Sequence, residues 1–318
     1  MTDPSDLVSM NNGPTLPRAG RLNEGLKGER MLRFLVVDGN NRAGRDNRRT
    51  HFGVTPGESY AAALQAVVGQ ESMVYDIALP ADPGANLPDA AGLESYDGVF
   101  LTGSALHLYQ GGDEVRQQID LMRAVYRAGV PTFGSCWGLQ IGAAAAGGQI
   151  IANPHQREIG FARKITLTEA GQAHPLCQGR PVCFDAPAVH LDIVATPPAD
   201  CVILACNELT PIQAVEIRHE GGVFWGVQYH PEFNLQELAS ILGFLGPLML
   251  AEGFFKDLQS HAAYVQDLKD LFADRARLDL AWRYGLGADV LDDACRLTEI
   301  RNFIQYRVRP DQSRRGRA

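Results

Sequence analysis

The sequence predicts an α/β protein, an open and mostly parallel sheet with flanking helices, continued by a C-terminal helical extension. Three observations carry that prediction. Between residues 31 and 146, apolar runs suited to buried strands alternate with segments of helical period. Between residues 150 and 227 the pattern changes to short β-rich segments broken by Gly, Pro and Asn. From residue 247 onward, apolar side chains recur at helical spacing.

Residues 1–30 hold Pro4, Gly13, Pro14, Pro17 and Gly20 among charges without a sustained period, the composition of a flexible leader. Met31 to Val37 is the first strand, apolar on both faces in the manner of a central parallel strand. Asn40 to Arg49 then reads as a basic loop carrying Arg42, Arg45, Arg48 and Arg49. Loops at the carboxyl ends of strands border the ligand crevice in α/β sheets, so a guanidinium here is placed to pair with a substrate carboxylate; a solvated surface loop is the alternative. Thr55-Pro56-Gly57-Glu58 starts a helix with a Thr cap, proline at the first helical position and Glu completing a capping box, and that helix runs to about Val68. Ser72 to Ile77 and Gly98 to Thr102 read as strands, and Asp113 to Ala128 as a helix turning Leu121, Met122, Val125 and Tyr126 to the sheet. Ala162 to Thr168, Cys201 to Cys206 and Ala214 to Arg218 extend the sheet as an antiparallel flank.

The chemistry centres on Phe133-Gly134-Ser135-Cys136-Trp137-Gly138-Leu139-Gln140, where an apolar strand gives way to a small-residue helix ending at Gly147-Gly148. Gly134 and Gly138 permit the close backbone approach of a nucleophile elbow, with sulfur in place of oxygen. A thiol at a helix N-terminus meets partial positive charge and free backbone N–H groups, which favour thiolate and hold a developing oxyanion. A buried structural cysteine is the alternative, because free Cys is among the most buried residue types. A second segment, Gln228-Tyr229-His230-Pro231-Glu232-Phe233, follows the apolar strand Val223 to Val227. If the chain stays extended there, His230 and Glu232 project to the same side as a base and its orienter.

Together these two segments resemble the class I, triad-type glutamine amidotransferase domain, in its GMP-synthase-like branch. The resemblance covers about residues 31 to 245 and implies an open, flavodoxin-like sheet. It implies Cys136 as nucleophile, His230 as base, Glu232 as orienting acid and Gln140 as a contact to the substrate glutamine. The family's glycine-rich oxyanion loop matches Thr102-Gly103-Ser104-Ala105, although the family commonly pairs glycines before a proline; Gly103, Ser104 and Trp137 are the implied oxyanion donors. Weaker echoes are Arg157-Glu158-Ile159-Gly160, which makes Glu158 a second candidate for substrate binding, and His190-x-Asp192, where the serine of a Ser-His-x-Asp stretch is replaced by Val189.

With 45% hydrophobic content over 318 residues the chain buries a sizeable core. Its organisation is expected as a leader (1–30), an amidotransferase-like domain (31–246) and a helical extension with a basic tail (247–318). A net charge of −8 argues against a general nucleic-acid surface. No run is long and apolar enough for a membrane span and no signal pattern opens the chain, so the expected location is cytoplasmic. The six cysteines show no C-x-x-C pair, so neither a disulfide framework nor a metal site is indicated; five of them are expected as small hydrophobes, and no cofactor is expected.

Three functional readings stand. In the first, Cys136 attacks the γ-amide of glutamine and ammonia passes to a separate synthase, because residues 247–318 hold no Gly-rich phosphate loop of their own. In the second, the same residues serve a free-standing γ-glutamyl amide or peptide hydrolase or transferase. In the third, the fold is a binding or regulatory module. The extension carries two apolar stripes, one through Phe254, Leu258, Val265, Leu268 and Leu271, the other through Leu291, Leu297, Ile300, Ile304 and Tyr306. Exposed stripes seek cover, so association with a partner or as a homodimer is expected, with packing on the chain's own domain as the alternative. The Arg-rich end is expected to be a disordered, solubilising tail.

Overall fold

The computed structural model describes residues 31–317. The expected leader, residues 1–30, lies outside the described residues. From β1 (Met31–Val37) the chain passes through α1 (Arg42–Phe52) and α2 (Pro56–Val68) to β2 (Ser72–Ala78). It continues through α3 (Ala90–Glu94), β3 (Gly98–Leu101), α4 (Asp113–Ala128), β4 (Thr132–Ser135) and α5 (Trp137–Ala145). A β-rich stretch follows: β5 (Gln149–Ala152), β6 (Glu158–Leu167), the short α6 (Glu169–Ala173), β7 (Cys183–His190), β8 (Asp192–Thr196), β9 (Cys201–Cys206), β10 (Ala214–His219) and β11 (Gly222–Val227). Helices close the chain: α7 (Leu235–Phe244), α8 (Gly246–Ala251), α9 (Leu258–Ala273), α10 (Leu278–Tyr284), α11 (Ala288–Leu291), α12 (Asp293–Arg296), α13 (Thr298–Phe303), a π-helical turn at Ile304–Val308, and α14 (Arg309–Arg314).

Nine strands form one sheet in the order β2-β1-β3-β4-β11-β10-β9-β6-β7, and β5 pairs with β8 separately. The first five run parallel, as expected for strands joined by helical crossovers, and the remainder form the antiparallel flank. Register decides where the chemistry lands. Val37 lies beside Leu101, Leu101 beside Gly134, and Ser135 beside Val227, so β1, β3, β4 and β11 release their chains along one edge. Asn40, Gly103, Cys136 and His230 therefore emerge together at the carboxyl ends of neighbouring strands.

One sheet face is covered by α4 and α5 through Leu121, Met122, Val125, Leu139 and Ile141. The other is covered by α2 and, unexpectedly, by the end of the chain: Leu297, Ile300, Phe303, Ile304 and Val308 share a core with Phe34, Phe100, Phe133 and Trp225. The Phe303 ring meets those of Phe100, Phe133 and Trp225 at centroid distances of 5.4, 5.5 and 5.8 Å. This second stripe runs over several short helical pieces, from α11 to the π-helical turn, and not over one continuous helix. The first stripe is covered as well, Val265, Leu268 and Leu271 of α9 packing with Leu238 and Leu242 of α7. Most of both stripes thus finds cover within the chain, as the alternative reading expected, while Phe254, Leu258 and Tyr306 stay exposed. The basic end is not a disordered tail. It is helical through Arg314, and Arg309 pairs with Glu71 at 2.7 Å while Arg315 pairs with Asp311 at 2.6 Å.

A second correction concerns Arg42 to Arg49, which form a helix and not a loop. Asn41 caps it by accepting from the Gly44 N–H at 2.9 Å, and Gly53 ends it in the left-handed region. The segment lacks an apolar period because its inward face is built from arginines that find carboxylates. Arg45 is buried against Asp82 at 2.6 Å, and Arg48 pairs with Glu237 of α7. Of the five cysteines expected as small hydrophobes, Cys177 is buried, whereas Cys183 and Cys295 face solvent.

Candidate active site

Cys136 lies between β4 and α5 with φ 53° and ψ −107°, a left-handed conformation that a side-chain-bearing residue adopts only under strain. Its neighbours compel it. A Cβ on Gly134 would lie 2.6 Å from the Gly138 carbonyl carbon, and one on Gly138 would lie 2.6 Å from the Leu101 carbonyl oxygen, so strand, helix and β3 close to a distance only glycine allows. The Cys136 N–H donates to the Val227 carbonyl at 2.8 Å, which ties the turn to the end of β11. Trp137 is the first residue of α5, and a first-turn N–H has no partner within its helix.

His230 and Glu232 are not on an extended strand. Phe233 N–H donates to the His230 carbonyl at 3.2 Å and closes a turn, and within that turn Glu232 Oε1 comes 2.7 Å from His230 Nδ1. Both side chains are buried. The His230 ring lies flat on Phe233, centroids 4.0 Å apart and planes 6° from parallel. Burial alone would lower the imidazole pKa, but the charges of Glu232 and Cys136 and hydrogen bonds to both outweigh it and raise the value to about 10. Such a shift favours the imidazolium, set between the Glu232 carboxylate and Cys136 Sγ.

Around these groups lies a cavity of about 610 Å³, lined by Cys136, Gln140, His230 and Glu232 and by the loop from Thr102 to His107. Gly103 packs so closely on His230 that an added Cβ would sit 2.6 Å from the imidazole Cε1. The Gly103 carbonyl accepts from Asn40 Nδ2 at 3.0 Å and from Thr102 Oγ1 at 2.9 Å. Because a trans peptide sets its N–H opposite its carbonyl, these two bonds fix the direction of the Ser104 N–H. Gln140 also lines the cavity, but its Nε2 is engaged by the Asp192 carbonyl at 2.9 Å. Trp137 is buried behind the cavity, its indole N–H donating to Gln118 Oε1 at 2.7 Å, so only its backbone N–H is available to the site.

Glu158 is not brought to the cavity. Its carboxylate is taken up by His190 at 2.9 Å, Asn207 at 2.5 Å, Thr210 at 2.8 Å and Gln213 at 2.7 Å. Burial would raise its pKa; these donors, led by His190, bring it below the ordinary value. Glu158 therefore holds His190, which does line the cavity. Three residues that sequence reasoning did not single out stand at the site: Asn40; His107, with Nδ1 2.7 Å from Asp192 Oδ2; and Phe244, whose ring edges the cavity. The rule that strand carboxyl ends border the crevice points to Asn40; no sequence signal marks the other two. Among the described residues, no group of three or more His, Cys, Asp or Glu side chains is placed to hold a metal ion.

The strand order and the strained cysteine turn define a class I glutamine amidotransferase fold. Residues 60–244 match the sequence model of the family described as glutamine amidotransferase class-I, and the chain belongs to that family. Over 291 residues it is 33% identical to a γ-glutamyl-L-1-hydroxyisopropylamide hydrolase of a Pseudomonas species, covering 89% of this chain and 96% of that protein. It is 31% identical over 140 residues to the glutamine-hydrolysing GMP synthase of Leifsonia xyli, covering 44% of this chain but only 26% of that one. A glutamine amidotransferase of Thermotoga maritima has a similar fold, with TM-score 0.56 at 14% identity over 87% of this chain and 98% of that one.

Proposed function

We propose that this protein is a free-standing γ-glutamyl amide hydrolase working through a thioester on Cys136. Cys136 Sγ, having already given its proton to His230, attacks the γ-carbonyl carbon, and charge gathers on the carbonyl oxygen, for which the N–H groups of Ser104 and Trp137 are the proposed donors. The C–N bond breaks, the amine leaves with the proton from His230, and water then cleaves the thioester to release glutamate. Glu232 keeps the imidazole oriented and compensates its charge. The observation that carries this reading is the convergence of Cys136, His230 and Glu232 at one cavity. Similarity along nearly the whole length of a γ-glutamyl amide hydrolase supports a chain that acts without a second catalytic unit. We place it in the cytosol, where Cys136 stays reduced; no described helix is long and apolar enough to cross a membrane.

The GMP synthase relatives favour a second reading, glutamine hydrolysis with ammonia delivered to a partner synthase. One experiment separates the two. The purified full chain is given glutamine and γ-glutamyl methylamide, and glutamate release is followed. Hydrolysis of the methylamide by the chain alone, lost by at least about a thousandfold in Cys136→Ala, is the expected result. Turnover of glutamine only, or activity that survives Cys136→Ala, overturns the proposal.

A further inference from the structure

We infer that the apolar wall of the cavity is the site for the amine half of the substrate, and that the preferred substrates are γ-glutamyl amides of apolar amines about the size of a phenyl ring. This rests on the hydrolase reading above. Six side chains form the wall: Phe52 at the end of α1, Phe233 beside His230, Ile241, Phe244 and Leu245 around the end of α7, and Leu248 of α8.

The wall is built, not a gap between loosely apposed helices. Arg48 of α1 and Ser59 of α2 both bond Glu237 of α7, the latter at 2.7 Å. The Arg48 guanidinium also lies 4.4 Å from the Phe52 ring centroid, and the His51 and Phe244 rings meet at 5.0 Å. Arg157 bonds Glu252 at 3.1 Å and ties α8 to the opposite rim. The two arginines on the cavity are therefore each already ion-paired with a carboxylate. Asn47 and Ser59 also line the cavity from α1 and α2, and the rest of its uncharged polar lining includes Asn40, the loop from Thr102 to Ser104, Gln140 and the group around His107 and Asp192.

A γ-glutamyl amide has one zwitterionic end and one amine end, on opposite sides of the carbonyl that Cys136 attacks. Charge is costly to lay on an apolar surface, so the glutamyl end takes the polar lining and the amine end the wall. Proton transfer requires the same placement. The departing nitrogen must lie within reach of His230, and the group lying flat on His230 is Phe233, a member of the wall. Ammonia would leave that wall without an occupant. Phe244 keeps 48% of its surface in solvent at the cavity's edge, so an apolar group bound there removes exposed ring area from water. Three phenyl rings favour an aromatic guest through edge and offset contacts.

The test compares kcat/KM of the full chain for γ-glutamyl benzylamide, γ-glutamyl methylamide and glutamine. The benzylamide is expected to lead the methylamide by at least about tenfold, a factor that one apolar group in a fitted pocket supplies. Phe244→Ala and Leu248→Ala should each shrink that ratio, chiefly by raising KM for the benzylamide; Phe244→Leu serves if the alanine variant does not fold. Equal or better turnover of methylamide or glutamine by the wild type overturns the amine site while leaving the hydrolase reading in place. If no γ-glutamyl amide is hydrolysed, or Cys136→Ala remains active, both fall.

Discussion

Replacing Glu299 by glutamine should weaken the fold and the active site together. Glu299 of α13 faces Arg180 through two 2.7 Å bonds, with the two side chains 0% and 2% exposed. Burial alone would lower the Arg180 pKa, but Glu299 more than offsets it, so the guanidinium stays charged inside the protein. The same carboxylate accepts from Tyr229 Oη at 2.9 Å, Arg180 also donates to the Arg296 carbonyl at 3.1 Å, and Arg296 in turn donates to the Pro231 carbonyl. Tyr229 and Pro231 flank His230. Removing one charge of a buried pair leaves the other uncompensated, which costs about 3–5 kcal/mol. Glutamine keeps the shape and one acceptor, so the low end, about 3 kcal/mol, is the figure to expect. With a urea slope of about 2–3 kcal/mol per molar, the unfolding midpoint should fall by about 1 M. In the folded variant kcat should also drop, because the turn carrying His230 loses its anchors. The double variant Arg180→Met with Glu299→Leu removes both charges and should regain much of the stability. A loss below about 1 kcal/mol in Glu299→Gln, or a double variant no better than the single, would refute the reasoning.

Two further outcomes follow from the same structure. Asn40→Ala deletes the donor to the Gly103 carbonyl and the acceptor of the Ala105 N–H. Thr102 still holds that carbonyl, so kcat on a γ-glutamyl amide should fall by about tenfold with KM little changed, and an unaltered kcat would mean that Asn40 does not set the oxyanion donors. Glu216 is bonded by His174 at 3.1 Å, Trp225 at 2.7 Å and Arg218 at 2.8 Å; burial raises its pKa, but these donors overcome that and hold it at about 2 against an ordinary 4.5. A depressed carboxyl stabilises above its unfolded pKa and loses that contribution as pH falls from about 4.5 through about 2. Glu216→Gln should therefore cost no more than about 3 kcal/mol at pH 7 in urea unfolding, and the gap from wild type should close near pH 2; a gap independent of pH would sink the assignment.

What was legible in the sequence was whatever apolar period and turn chemistry encode. The strands from Met31 and Gly98, the capping box at Thr55 and Glu58 and the glycine-bracketed cysteine turn all appear where local residues place them. The meeting of Cys136 with His230 was legible only because two strand ends were each followed by a reactive group. The register of β4 against β11 supplies the rest. The helix at Arg42 was misread because its inward face is charged. Arg45 and Arg48 look like solvent-facing residues until Asp82 and Glu237, far away in sequence, are brought opposite them. Glu158 was misplaced for a related reason, since a carboxylate near a substrate motif and a carboxylate consumed by four internal donors have the same sequence signature.

The end of the chain was misjudged because a helical stripe says that something must cover it without saying what. The family match ends at residue 244, within the helix that follows the His230 turn, and it contains every residue proposed here for bond cleavage. The 291-residue match to the γ-glutamyl amide hydrolase necessarily runs well past that point. Past it lie Leu245 and Leu248 on the amine wall, Glu252 bonding Arg157 at the rim, and Arg296 and Glu299 beneath the turn that holds His230. Bond cleavage thus draws on the common fold. The helices beyond residue 244 cover one face of the sheet, stand beneath the turn that holds His230 and contribute Leu245 and Leu248 to the cavity. On the reading proposed above, these helices serve the leaving-group side of the same cavity.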